Sequence, residues 1–202
     1  MHQPDYERAR EYALRRLRQD LSPLLSYHSL AHTCDEVLPA SERYARLLDV
    51  GNDDLLLLRT AALYHDIGFV EQAVEHEAAG ARIAATVLPR FGYHDTQIRQ
   101  ICAMIMATRL PQSPNTLLEA ILADADLDML GREDYLARNR ALRAEWAIQG
   151  RTLSDPEWYA DQLAFICKHH YWTEAAQSLR NPGKQRNIQT VLQLLRQCDG
   201  RA

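Results

Sequence analysis

The sequence has few cysteines, and none is spaced for a structural metal or a redox pair. Cys34, Cys102, Cys167 and Cys198 lie far apart, and no two of them form a Cys-x-x-Cys pair. Isolated cysteines of this kind fit reduced, packed thiols in a cytosolic protein better than disulfides or a zinc ribbon.

Long apolar runs are also missing. No run in the chain approaches the roughly 20 residues needed to span a bilayer. The first five residues, Met-His-Gln-Pro-Asp, do not begin the apolar core of a signal peptide. We therefore expect a cytoplasmic protein with no membrane partner.

The chain has no excess of positive charge. Its 202 residues carry a formal net charge of −4, which argues against sequence-independent nucleic-acid binding, because such binding needs a basic face. Of the 23 basic residues 21 are Arg, but they are scattered, so most should lie in solvent. With 47% hydrophobic and 25% charged residues, the composition is typical of a soluble globular protein. We expect residues 1–202 to form a single domain.

No segment shows the two-residue alternation of a half-buried strand, whereas helical periodicity recurs along the chain. Helices are predicted over 5–21, 29–48, 53–66, 74–90, 95–108, 116–130, 133–149, 156–170 and 185–198. Pro39 should kink or break the second of these helices, Asp53 should cap the third, and Pro182-Gly183 should break the chain before the last. The sequence therefore predicts an all-α bundle of roughly seven to nine helices.

The adjacent pair His65-Asp66 stands where an apolar helix runs into a glycine turn at Gly68. Consecutive helical residues point about 100° apart, yet near a helix end they can converge on one point between their directions. Imidazole nitrogen and carboxylate oxygen together suit a borderline divalent cation. The pair is therefore a candidate for metal binding, with a capped, solvated helix end as the alternative.

Three further groups accompany this pair. His28 and His32 are four residues apart and share a face if their segment is helical. His76-Glu77 follows shortly after the pair. Asp124, Asp126 and Asp128 interrupt an otherwise apolar helix, and buried carboxylates are costly without a cation or a hydrogen-bonded network.

In the order His32, His65-Asp66, Asp126, these residues resemble the HD-domain superfamily of metal-dependent phosphohydrolases. The segment Tyr-His-Ser-x-x-His at 27–32 is similar to the Tyr-His-Asn-x-x-His of the related cyclic-nucleotide phosphodiesterases, with Ser in place of Asn. Ala-Asp-Leu at 125–127 is similar to the segment that carries their last aspartate. The resemblance covers about 27–131 and implies an HD-domain-like helical fold, with 132–202 as a C-terminal helical extension.

The resemblance implies one divalent metal ion (manganese, iron, nickel, zinc or magnesium) held by His32, His65, Asp66 and Asp126. Asp124 is either an alternative ligand or a residue that orients a ligand from outside. His76 matches a ligand position of two-metal HD proteins. The helix over 95–108 supplies none of the further histidines that such sites use, so we expect one metal, with His76 holding substrate phosphate or water.

The implied reaction is cleavage of a phosphoester by water that the metal activates. Asp66, or alternatively Asp124, would accept the proton of that water, and His28 would protonate the leaving oxygen. Arg109, Lys184 and Arg186 are candidates for gripping phosphate, which Arg does with two parallel hydrogen bonds. The resemblance implies a small phosphorylated, nucleotide-like substrate.

Two other functions stay open. The first is a non-catalytic, metal-stabilised helical module that binds a nucleotide or a partner. The other is an HD-type di-iron oxygenase. It ranks below both the phosphohydrolase and the binding module, because such enzymes need extra histidines and none occurs between residues 95 and 123. The aromatic and histidine-rich segment 165–173 predicts either a pocket wall that stacks on a ring or a helix contact. Trp146, Trp158 and Tyr159 belong to the core or to a subunit contact, so a homodimer is also open.

Overall fold

The computed structural model describes residues 3–199, and every regular element in that range is helical. The nine α-helices of this range are α1 (Tyr6–Gln19), α2 (Leu38–Leu47), α3 (Asn52–Tyr64), α4 (His76–Val87), α5 (Asp95–Ala107), α6 (Leu117–Asp126), α7 (Tyr135–Ile148), α8 (Asp155–Lys168) and α9 (Glu174–Asp199). A π-helical segment, His32–Val37, precedes α2, and short 3-10 turns cover Ile67–Val70, Leu88–Phe91 and Asp128–Gly131. The predicted all-α fold is confirmed.

Helix α3 is the central helix of the fold. Almost all of its second half is buried, on every side of the helix, which is typical of a helix surrounded by others. It packs against α1, α2, α5 and α6. Because the helix is enclosed, the His65-Asp66 pair that follows it is delivered to the interior of the fold.

Pro39 was predicted to kink or break the second helix. The chain stays helical there, and the irregularity takes the form of the π-helical segment directly before α2. Pro39 lies in the first turn of α2, where proline is tolerated. His32 is the first residue of the π-helical segment, and such segments occur frequently at functional sites.

Two predicted boundary signals are wrong. Asp53 does not cap α3, because Gly51 occupies the N-cap position and Asp53 lies in the first turn, where its charge favours the helix N-terminus. Pro182-Gly183 does not break the chain, because α9 runs through it. A Cβ atom on Gly183 would lie 2.0 Å from the carbonyl oxygen of Gly131. The glycine therefore permits α9 to approach the Asp128–Gly131 turn closely.

Helices α8 and α9 pack against each other, and α9 also contacts α2, α6 and the Asp128–Gly131 turn. This C-terminal part thereby closes one side of the space beyond the end of α6. No helix within residues 3–199 combines the length and the apolarity needed to cross a membrane.

Candidate metal centre and adjoining cavity

The structure brings the four predicted metal ligands together. His32 begins the π-helical segment, His65 and Asp66 follow α3, and Asp126 ends α6. The first three are buried, and the side chain of Asp126 is 19% exposed. Side chains from three separate elements thus meet at one end of the central helix.

Their polar atoms lie at distances that a shared cation would bridge. Nε2 of His65 is 3.2 Å from Oδ2 of Asp66 and 3.5 Å from Oδ1 of Asp126. Nε2 of His32 is 3.2 Å from the same Asp126 oxygen. One ligand atom each from His32, His65 and Asp66 lies within 4.8 Å of the other two, which is close to the span of ligands bound about 2.0–2.3 Å from one ion.

The hydrogen bonds of the two histidines fix which ring nitrogen faces the cluster. Nδ1 of His65 donates to the carbonyl oxygen of Ala62 at 2.8 Å, and Nδ1 of His32 donates to Oε2 of Glu36 at 2.9 Å. Such outer partners leave the Nε2 lone pair free for a metal. Nε2 of His65 and Oδ2 of Asp66 are buried without a hydrogen-bond partner. Two facing acceptors with no donor between them fit a cation.

The electrostatics of the cluster agree with this donor set. Burial lowers the pKa of His65, but the charges of Asp66 and Asp126 outweigh it and raise that pKa well above its usual value. Burial raises the pKa of Asp126, but the hydrogen bond with His32 and the charge of His65 outweigh burial and lower it to about 2. The carboxylates therefore stay charged at neutral pH, and their field attracts positive charge to this point.

His76 faces the other oxygen of Asp66. Its Nε2 lies 3.4 Å from Oδ1 of Asp66, and its Nδ1 donates to the carbonyl oxygen of Ala73 at 3.2 Å. A close approach of the backbone holds it there, because a Cβ atom on Gly68 would lie 1.9 Å from the carbonyl oxygen of His76. His76 is thus placed next to the cluster at the first residue of α4.

His28 is held by a buried carboxylate from α7. Nδ1 of His28 lies 2.5 Å from Oε1 of Glu145, and Oε2 of Glu145 accepts from the backbone N–H groups of Tyr27 and His28 at 2.9 and 3.1 Å. Burial raises the pKa of Glu145, but its bonds with His28 and these N–H groups outweigh burial and lower it. Glu145 therefore remains charged and orients the His28 ring through Nδ1.

A cavity of about 500 Å³, the metal cavity, opens beside the cluster. His28, Asp66, His76 and Asp126 line one side. The other side is built largely by α7 and α8, and its apolar members include Leu142, Trp146 and Phe165. Among the described residues that line it, none is Arg or Lys. The cavity thus combines carboxylates with large apolar side chains.

The three basic residues predicted to grip phosphate lie outside this lining. Arg109 is exposed and pairs with Glu75 at 3.2 Å. Lys184 is buried and donates to the carbonyl oxygen of His169. Arg186 is exposed on α9. The structure does not bring these cations to the cluster.

Asp124, the alternative ligand, has other partners. Its Oδ1 accepts from the backbone N–H of Trp172, and its Oδ2 accepts from the N–H and hydroxyl of Thr173, at 2.7–2.8 Å. It anchors the segment between α8 and α9. Asp128 is likewise used elsewhere, since it forms two hydrogen bonds with Arg180.

Sequence reasoning missed Glu36 and Glu145. Glu36 lies four residues after His32, a spacing that puts two helical side chains on one face, so that signal was available. Glu145 lies 117 residues from His28, and no local pattern connects them.

Comparison with known proteins identifies relatives of this arrangement. The family model described as HD domain matches residues 9–128, a range that begins within α1, so the resemblance inferred from the motifs is confirmed. No curated protein matches the chain.

Two similar solved structures share the fold. One is a predicted HD superfamily hydrolase from an uncultured Thermotogales bacterium, with a TM-score of 0.65 and 21% identity over 96% of this chain and 93% of the other. The second is Bacillus subtilis YpgQ in complex with ADP, with a TM-score of 0.67 and 18% identity over 96% of this chain and 94% of the other.

Proposed function

This chain belongs to the HD-domain family, and on that premise we propose that it is a metal-dependent phosphohydrolase that cleaves a phosphoester of a nucleotide or another small phosphorylated metabolite. The observation that carries the proposal is the pair of buried, unpartnered acceptors, Nε2 of His65 and Oδ2 of Asp66, within a set of four ligand-type residues.

His32, His65, Asp66 and Asp126 would hold the metal. When bound, a divalent metal lowers the pKa of water and polarises a phosphoryl oxygen. Asp66 is the carboxylate best placed to accept a proton at this point, because its Oδ1 lies on the side of His76 and its side chain lines the metal cavity. His76 would contact the substrate phosphate from the same side.

His28 would donate a proton to the leaving oxygen. Its Nδ1 is occupied by Glu145, so Nε2 is the atom left to act on the substrate. The ring lies against Phe69, with the ring centroids 4.3 Å apart. Glu145 would therefore act as a positioning residue for the general acid.

The charges of the metal cavity favour a substrate with a single phosphate. Asp66, Glu77, Asp126, Glu145 and Asp161 are among its lining residues, whereas no Arg or Lys is among those described. A metal and the nearby histidines can offset one phosphate, but further phosphates would face carboxylates. The ADP complex of YpgQ supports a nucleotide as the class of ligand, and the apolar side chains of Leu142, Trp146 and Phe165 in the cavity lining suit a base or another ring.

The function is tested with a panel of phosphate esters and metals. The purified protein should hydrolyse nucleoside monophosphates and nitrophenyl phosphate with at least one of manganese, iron, nickel, zinc and magnesium. We expect kcat/KM for a nucleoside monophosphate to exceed that for the matching triphosphate by about tenfold or more, since one unit charge repelled at about 4 Å costs roughly 1–4 kcal/mol.

The control for the panel is each metal without protein. A preference for the triphosphate would contradict the single-phosphate proposal. Absence of turnover above the control with every metal and substrate would favour the non-catalytic binding module.

The metal content should be one ion per chain. Within residues 3–199, His32, His65 and Asp66 form the single group of three ligand atoms close enough for one ion, and His76 has only Asp66 and Glu77 as close carboxylate partners. Elemental analysis of protein purified without chelators should give one equivalent. Two strong anomalous peaks about 3.5–4 Å apart, the usual spacing of paired metals, would contradict this expectation.

A further inference from the structure

A chain of polar contacts connects the metal-ligand candidate His32 to the part of the protein that follows α6. Nδ1 of His32 donates to Oε2 of Glu36 at 2.9 Å. The other oxygen of Glu36, Oε1, lies 3.0 Å from Nε of Arg138 and 3.4 Å from Nη2 of Arg132. The Glu36 and Arg138 side chains are largely buried, at 13% and 16% exposed. One carboxylate therefore joins a histidine of the cluster to two arginines.

Arg138 makes more contacts with this region than Arg132 does. Its Nη2 donates to the carbonyl oxygen of Tyr27 at 3.1 Å, and its guanidinium carbon lies 4.8 Å from the centroid of the Tyr27 ring. The centroid of that ring is 5.0 Å from the centroid of the His32 ring. Arg132 also donates from Nε and Nη2 to Asp134, so its contact with Glu36 is shared. Arg138 is therefore the arginine that contacts the segment 27–36 near both of its ends.

The position of Arg138 on α7 matches that of Glu145. The two residues are seven apart, a spacing that places them on one face of a helix. Glu145 contacts Nδ1 of His28, and Arg138 contacts the partner of His32. Helix α7 begins after residue 128, where the match to the family model ends. One face of α7 thus reaches both histidines of the segment 27–32.

We propose that Arg138 is a positioning residue of the metal centre. By contacting Glu36 and the Tyr27 carbonyl group together, it fixes the carboxylate that holds Nδ1 of His32, so that Nε2 of His32 is presented to the metal. This role rests on the proposed function, because it requires a metal at His32. The outer partners of metal-binding histidines typically contribute about 10–100-fold to metal affinity or activity.

The charge of Arg138 has the opposite effect on metal affinity. Removal of a positive charge near the cluster makes the local field more negative, which by itself favours a cation. Loss of positioning instead weakens binding, because Glu36 is then free to leave the N–H group of His32. The direction in which metal affinity changes therefore separates positioning from a simple charge effect.

The test is the zinc affinity of the metal-free protein, measured by competition with a chromophoric chelator and without any substrate. Arg138→Gln removes the charge and shortens the side chain. We expect it to bind zinc about tenfold more weakly than the wild type, at the lower end of the range for outer partners. Zinc affinity equal to or tighter than that of the wild type would overturn the proposed role.

Arg143→Gln is the matched control, because it makes the same substitution on the same helix. Arg143 pairs with Asp155 at 2.7 Å and donates to the carbonyl oxygen of Leu153, so the variant loses an ion pair that does not involve the cluster. It should bind zinc as the wild type does. An equal loss of zinc affinity in both variants would attribute the effect to α7 as a whole and overturn the role of Arg138.

Proton exchange at the histidine rings gives a second readout, which a general loss of stability would not reproduce. In zinc-loaded protein with ¹⁵N-labelled histidine, the Nδ1 protons of His32 and His65 lie in hydrogen bonds to Glu36 and Ala62. Arg138→Gln should exchange the His32 proton with solvent about tenfold faster or more, as expected when its acceptor is no longer fixed. Exchange at His65 should not change. Equal acceleration at both rings would overturn positioning.

Arg138→Lys keeps the test decisive should Arg138→Gln fail to fold. Lysine retains the charge, but its single nitrogen cannot reproduce the two contacts of the guanidinium group. We expect zinc affinity about threefold below the wild type, again with faster exchange at His32 only; wild-type values for both would overturn the role. If the wild type and variants behave as expected but no ester is hydrolysed, the proposed hydrolysis fails and the role of Arg138 stands. A wild type that binds no zinc would overturn the role together with the metal centre.

Discussion

Replacing Asp66 with Asn should give a folded helical protein that binds metal poorly and has almost no phosphohydrolase activity. The substitution keeps the shape of the side chain but removes the charge that faces His32 and His65. Loss of an outer partner of a metal ligand already costs about 10–100-fold in affinity or activity, so loss of a ligand should cost more. Loss of the proton acceptor adds to this, because general acid–base catalysis contributes about 10²–10⁴-fold.

The measurements are elemental analysis after desalting, turnover under saturating metal, and circular dichroism to establish the fold. The matched control is Asp124→Asn. That carboxylate lies on the same helix as Asp126 but is bonded to Trp172 and Thr173, so the variant should retain the metal. If Asp66→Asn hydrolyses substrate as fast as the wild type, or if Asp124→Asn alone loses the metal, the metal centre is misassigned.

The parts of the site that could be predicted from the sequence are those that local patterns reveal. His65-Asp66 and Asp126 are polar residues inside apolar helical segments, and burial makes such residues costly unless they share a partner. That argument predicts their convergence from the sequence alone. His76 was found because it follows the pair after a glycine turn, and Gly68 is the position where the backbone of that turn meets the start of α4.

Glu145 could not be found in this way. It occurs in a helix with several charged residues, and its spacing from His28 along the chain is set only by how α7 packs against the segment before the π-helix. Burial of its carboxylate and its bonds with two backbone N–H groups are properties of the tertiary structure. The sequence therefore pointed to His28 but not to the residue that orients its ring.

The errors in the helix boundaries have the same origin. Pro182-Gly183 is a strong local signal for a helix end, yet α9 continues because its contact with the Asp128–Gly131 turn requires a residue without a side chain at Gly183. Tertiary packing outweighed local propensity there. The order and type of the helices, which follow from long apolar periodicity, were less sensitive to such contacts.

Replacing His28 with Ala should reduce turnover by about 10²–10⁴-fold, the usual contribution of general acid catalysis, while the metal content stays at the wild-type level. His28 makes its polar contact with Glu145 and is not among the ligand atoms that surround the cluster. The loss should shrink for a nitrophenyl ester, because nitrophenolate leaves readily without a proton. Turnover of a nucleotide and of a nitrophenyl ester, measured beside elemental analysis, separates this role from metal binding.

Glu145→Gln extends the same test to the positioning residue. Gln can still accept from the N–H groups of Tyr27 and His28, so the local backbone should be kept, but it brings no charge to Nδ1 of His28. A positioning role predicts a loss of turnover that is smaller than the loss caused by His28→Ala and that also shrinks with the nitrophenyl ester. In the double variant the two losses should not add, because Glu145 acts only through His28. Equal losses for good and poor leaving groups would mean that the His28–Glu145 pair supports the structure of the cavity and not the transfer of a proton. Loss of metal in either variant would place the pair within the metal centre itself.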